Sequence, residues 1–221
     1  MVRPTIHWVM DRMQKHYGHI PRKPVLDPVD ELIQTVLSQN TSDVNSARAY
    51  QNLVKTFPTW GVLLDADDAA VADAIRAGGL ADVKAPRLKG ILSQIMKRRG
   101  RLDLNFLKDL PLPEAREWLQ RLPGVGPKTA ACVLLFSLGM SALPVDTHVH
   151  RVSRRLGLVP QEANAEKAQE VLEKSVPVKD VYTFHLQMIL HGRRVCRAIR
   201  PACDQCVLSK RCPSAQPKDS Q

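Results

Sequence analysis

The chain has 221 residues, 44% of them hydrophobic and 24% charged, enough for one large domain or two small ones with a buried core. Thirty-two Lys and Arg against 22 Asp and Glu give a formal charge of +10, which favours a polyanionic partner. No apolar run is long enough to span a bilayer, and charges interrupt the N-terminal apolar positions where a signal peptide would be smooth, so a cytoplasmic setting is expected.

Helical spacing recurs along the chain and sustained alternation is missing, so the fold class predicted is all-α. Ile6, Val9, Met10, Met13 and Tyr17 form the first stripe, with Gly18 as its stop. A link with Pro21, Pro24 and Pro28 follows. Asp27 before Pro28 is a good cap for a second helix running to about Gln39. Further helices are predicted at about Asp43–Phe57, at Ala69–Ala77 before Gly78-Gly79, at Lys84–Arg99 before Gly100, and at Glu114–Arg121. A strongly apolar helix is expected over Pro127–Leu138, closed by Gly139. Another starts at Asp146, and two more lie at about Ala165–Ser175 and Lys179–Gly192. The tail after Pro213 is polar and expected to fray.

Between two of these helices stands LPGVGPKT, Leu122 to Thr129. Gly124 and Gly126 allow a sharp turn that exposes backbone N–H groups, and the helix opening at Pro127 adds its own unpaired ones. Such a cradle holds phosphate without reading base sequence, as suits a protein that scans DNA.

The stretches LPGVGPKTA and PVDTHVHRV resemble the signature of the endonuclease III branch of the helix-hairpin-helix DNA glycosylases. The resemblance extends over nearly the whole chain through LSQNTSD, GGLADVKA, HLQMILHGRRVC and a C-terminal cysteine group. It implies two domains with a DNA-binding cleft between them: a six-helix barrel domain with the hairpin at 22–136, and an iron-sulfur domain made from 1–21 and 137–221. Two readings remain beside it, the same fold acting on another lesion (uracil or mismatched adenine) and a non-catalytic DNA-binding module.

Lys128 falls in the first turn of the helix after the hairpin, where the helix end disfavours an ammonium and favours the neutral, nucleophilic amine. Asp146 precedes Thr147-His148 at another helix start, where a carboxylate is held as a cap. The resemblance makes Lys128 the nucleophile on C1′ of a flipped nucleotide and Asp146 the group that manages the lysine proton and the positive charge developing on the sugar. A lysine at this place is implied in bifunctional glycosylase/AP lyases, and oxidised pyrimidines of the thymine glycol type are the substrates implied.

Cys196, Cys203, Cys206 and Cys212 follow the spacing C-x6-C-x2-C-x5-C within one short segment. That pattern suits a 4Fe-4S cluster, with tetrahedral zinc as the rival. The cluster would hold Arg197 and Arg200 against the DNA backbone; Cys132 is read as core. By resemblance Leu80 is the apolar wedge, and either Gln39 or Asn40 fills the space a flipped base leaves. Gly124, Val125, Gly126, Thr129 and His148 complete the DNA contacts expected, and Arg151, Arg154, Arg155, Arg193 and Arg194 are further phosphate candidates. Asn40, Ala81, Pro127 and His150 depart from the commonest family pattern, which bears on efficiency and substrate range. The partner expected is double-stranded DNA with damaged bases or abasic sites, met as a monomer.

Overall fold

The computed structural model describes residues 3–22 and 25–215. Pro24 in the proline link and the tail beyond Ala215 lie outside them. The chain divides into two compact units, Val25–Met140 in one and Met1–Pro24 with Ser141–Gln221 in the other. All regular structure among the described residues is helical, and none of their helices is long and apolar enough to cross a membrane.

The central unit is built from α2 (Pro28–Leu37), α3 (Asp43–Thr56), α4 (Trp60–Asp65), α5 (Asp68–Ile75), α6 (Ala81–Arg99), α7 (Leu112–Gln120) and α8 (Pro127–Cys132). Helix α2 runs through its middle. Val29, Leu32, Ile33, Val36 and Leu37 recur at helical spacing and are fully buried. They pack against α3, α6 and α8. The Asp27 side chain caps the helix, accepting from Val29 N at 2.9 Å. The short α4 escapes a periodicity reading because six residues hold too little pattern. Its signals are the Thr59 cap and the Trp60 indole, which donates to Asp30 of α2 at 2.8 Å.

Several boundaries differ from expectation by two residues or more. Helix α5 stops at Ile75 and gives way to a 3-10 turn, Arg76–Gly78. Helix α6 starts three residues early, at Ala81, with Leu80 as a left-handed N-cap. The apolar helix after the hairpin is α-helical only to Cys132; Val133–Ser137 is a π-helix, whose Leu138 N reaches Val133 O at 3.3 Å.

The second unit comprises α1 (Ile6–Tyr17), α9 (Thr147–Leu156), α10 (Ala165–Ser175), α11 (Val181–Arg194) and an irregular segment carrying the four clustered cysteines. Helix α11 packs against α9 and α1, and α10 against α9. Val9, Met13, Val149, Val152, Leu172, Phe184 and Met188 make its core.

Candidate functional site

The hairpin in the central unit is a tight turn held by Val125 N to Leu122 O at 3.2 Å and entered by α8 through Ala130 N to Gly126 O at 3.0 Å. Gly124 has φ +72°, and a Cβ there would meet the Arg87 side chain at 2.5 Å. This position needs glycine. Gly126 is different: its φ is −89°, and a Cβ would meet nothing within 4 Å. What Gly126 provides is an open approach to α8, which carries no side-chain cap, so its first-turn N–H groups stay available. The Val125 side chain is buried and its N–H is used within the turn, so this residue builds the hairpin rather than facing a ligand.

Lys128 follows at the second position of α8, half-buried, and makes no hydrogen bond or ion pair among the described residues. Thr129 is buried, and its hydroxyl accepts from Gln39 Nε2 at 3.2 Å. Gln39 also donates to Gly124 O at 3.3 Å and accepts from Arg87 at 3.0 Å. Gln39 is therefore an internal bridge between its own loop, the hairpin and α6. Its neighbour Asn40 is exposed at φ +54°. Leu80 is 54% exposed at φ +53°, an apolar side chain presented to solvent from a backbone state that leucine rarely adopts. Ala81, beside it, is buried.

In the second unit Asp146 caps α9, its carboxylate accepting from Val149 N at 2.8 Å. His148 is half-buried, with Nδ1 at 3.0 Å from an Arg151 amine and its Cβ where a Cβ on Gly192 would stand, 2.9 Å away. His150 bonds through Nε2 to Ala163 O at 2.7 Å, a structural tie that accounts for a polar ring at this place. Two arginines expected at phosphates are struts instead. Arg151 donates to Thr147 O, Gly192 O and Cys196 O. Arg155 donates to Arg197 O at 2.6 Å, Ala198 O at 2.9 Å and Cys196 Sγ at 3.4 Å. Their sequence pattern looks cationic and exposed, but helix α9 turns both toward the carbonyls of the cysteine segment.

That segment leaves Arg197, Ile199 and Arg200 exposed, with Arg200 at φ +50°. Asn40, Leu80 and Arg200 are the three non-glycine residues with positive φ among those described. Each is also a residue expected at DNA from the sequence.

None of the five cysteines is in a disulfide. Cys196, Cys203, Cys206 and Cys212 line one small cavity together with Arg155, Leu156, His191 and Val195. Among the described residues no group of three or more His, Cys, Asp or Glu converges as a single metal ion would need. Burial, and then the neighbouring cysteines, push the Cys206 thiol up to about 11; burial raises Cys212 as well. Metal binding would remove the protons from these two thiols. His191 is buried beside them, its Nε2 3.5 Å from Cys206 Sγ and its Nδ1 2.8 Å from the Tyr17 hydroxyl. Burial pushes its pKa down to about 4, aided by His16, so the imidazole is neutral.

Comparison with known proteins adds four findings. The model of the HhH-GPD superfamily base excision DNA repair proteins matches residues 33–178. An endonuclease III of Thermotoga maritima is 36% identical over 186 residues, covering 84% of this chain and 83% of that one. An Arabidopsis thaliana protein named as a candidate DNA glycosylase is 40% identical over 165 residues, 75% of this chain, and the chain spans 56% of that protein's length. Among solved structures, a trapped endonuclease III–DNA covalent intermediate superposes with a TM-score of 0.80 at 29% identity, over 95% of both chains.

Proposed function

The chain belongs to the HhH-GPD superfamily of base excision DNA repair proteins as an endonuclease III-like DNA glycosylase, and from that premise we propose that it is a bifunctional glycosylase and AP lyase acting on oxidised pyrimidines in duplex DNA. The observation that carries the reading is Lys128: a half-buried lysine with no acidic partner, two residues past an uncapped glycine turn. The neutral amine of Lys128 attacks C1′ of the flipped nucleotide; the new N–C1′ bond forms as the bond to the base breaks, and the base leaves with its electron pair. Ring opening gives a Schiff base. Loss of a proton from C2′ then expels the 3′ phosphate by β-elimination. Asp146 takes up the lysine proton and balances positive charge on the sugar.

Four cysteines lining one cavity fit the 4Fe-4S group that the endonuclease III likeness suggests. Bound there by Cys196, Cys203, Cys206 and Cys212, it supplies cross-links to the segment. Arg155 and Arg151 hold the same segment from α9, so that Arg197 and Arg200 face the phosphate backbone. Asn40 rather than Gln39 is the residue that fills the vacated space, because Gln39 spends its amide on Gly124, Thr129 and Arg87.

Duplexes carrying thymine glycol, uracil, adenine opposite 8-oxoguanine, or an abasic site, each incubated with borohydride, test the reading. Adducts with thymine glycol and the abasic site support it. Adducts with uracil alone would move the substrate class, and none at all would sink the lyase. Two substitutions separate the groove residues. Asn40→Gly, which keeps the left-handed backbone and removes only the side chain, should slow base excision roughly tenfold with little change in melting temperature. Gln39→Ala should lower stability by about 1–2 kcal/mol, because it leaves Arg87 and Thr129 without their partner. Gly126→Ala costs less than about 1 kcal/mol of stability but weakens DNA binding, since its Cβ would stand in the open approach. A melting curve and a salt titration of binding read both; unchanged affinity would remove the phosphate from this turn.

A further inference from the structure

Lys84 is a buried ionisable group that the chemistry above does not use. It is 2% exposed and heads the fully buried side chains by volume. Burying an ammonium is costly, and a core that needed only volume would be better served by methionine or leucine. The offset lies in two acceptors. Lys84 Nζ donates to Leu37 O at 2.8 Å and to Gly78 O at 3.1 Å. Leu37 is the last residue of α2, and Gly78 ends the 3-10 turn after α5. Both carbonyls sit at helical C-termini, where a cation is favoured.

Those two carbonyls are also the bases of two loops. Asn40 stands three residues beyond Leu37 and Leu80 two residues beyond Gly78, and both hold left-handed backbone conformations. Such conformations persist when the surroundings over-determine them. Gly78 is fixed from its other side by α3, since a Cβ on it would meet Ala49 Cβ at 2.9 Å.

We propose that Lys84 is a positioning residue that ties the Asn40 loop to the Leu80 loop at their bases, so that filler and wedge enter the duplex in fixed register. The tie rests, for its role in DNA, on the glycosylase reading above. Two charged side chains one turn apart on α6 then share the work: Lys84 joins these two loops, and Arg87, through Gln39, joins the Asn40 loop to the hairpin.

The test compares Lys84→Met with the wild type and with Leu107→Ala, a destabilising core truncation in the same unit that touches neither carbonyl. Amide deuterium uptake is read in peptides spanning 38–41 and 79–83. In Lys84→Met both should exchange faster, by roughly tenfold, with the rest of the unit unaffected. Single-turnover excision of a damaged base should fall more than trapping at a preformed abasic site, because excision also needs a paired base to be displaced and replaced. Lys84→Leu, which likewise removes the donor, takes the place of the methionine variant if that does not fold, with the same reading. Acceleration in only one loop, in neither, or spread through the unit as in Leu107→Ala would overturn the tie. Uptake needs no activity, so it decides the tie even if the wild-type protein forms no adduct, an outcome that would sink the glycosylase reading instead.

Discussion

Lys128→Gln should abolish the borohydride-trapped adduct on every substrate and slow base release by roughly a thousandfold or more, as removal of a nucleophile does. Its melting temperature should stay near that of the wild type. Lys128 makes no hydrogen bond or ion pair among the described residues, and glutamine is a good helix former. The contrast between lost chemistry and retained fold is what identifies a nucleophile rather than a structural lysine. Asp146 needs a finer pair of variants, because its carboxylate also caps α9 through Val149 N. Asp146→Asn keeps the cap and removes the charge; Asp146→Ala removes both. Equal loss of excision in the two, with destabilisation of about 1 kcal/mol in the alanine variant alone, would place Asp146 in the chemistry. Full activity in the asparagine variant would leave it a cap.

Replacing Cys206 by serine should empty the cysteine cavity of iron and cost DNA affinity on the order of a hundredfold. The physical chain runs through the loop. Cys206 shares a cavity with the other three cysteines, and the same segment presents Arg197 and Arg200 to solvent. Without the cross-link, Arg155 and Arg151 must hold the segment alone through bonds to Cys196, Arg197 and Ala198. Two cations should then leave the phosphate backbone, and the slope of log affinity against log salt should flatten by about two. Iron content, visible absorbance and a salt titration check this. Retained iron with unchanged affinity would detach the cysteines from DNA binding; stoichiometric zinc in the wild-type protein would replace the cluster altogether.

Local signals account for what the sequence discloses of the fold. Helix α10 lies at Ala165–Ser175, as expected, because Asn164 caps it and the apolar stripe ends with it. Gly18, Gly100 and Gly157 end their helices at φ near +70°. Helix α6 hides its true start because Leu80 offers no capping side chain and only the packed backbone makes it left-handed. The π-helix at Val133–Ser137 has no sequence signature that differs from an apolar α-helix. In the candidate site, the hairpin and the cysteine spacing are readable because each is contiguous. The roles of Gln39, Lys84, Arg151 and Arg155 are not, because each bonds to backbone or side chains distant in sequence. A charged side chain is read by default as solvated, and in these cases tertiary contacts decide otherwise.

One consequence of the chain path concerns birth on the ribosome. Helix α1 is translated before the central unit, and its partner α11 after it. Gln14 waits for Gln187, 173 positions later, and Tyr17 for His191. At a synthesis rate of about 5–20 residues per second, the Val9 and Met13 stripe stays uncovered for roughly ten to thirty seconds while the whole intervening unit emerges. The cysteine segment follows α11 immediately, and His191 links that segment to Tyr17. Docking of α1 and completion of the cysteine segment thus fall at the same moment of the nascent chain's life, and on the cluster proposal a chain starved of iron during translation would leave both unfinished together.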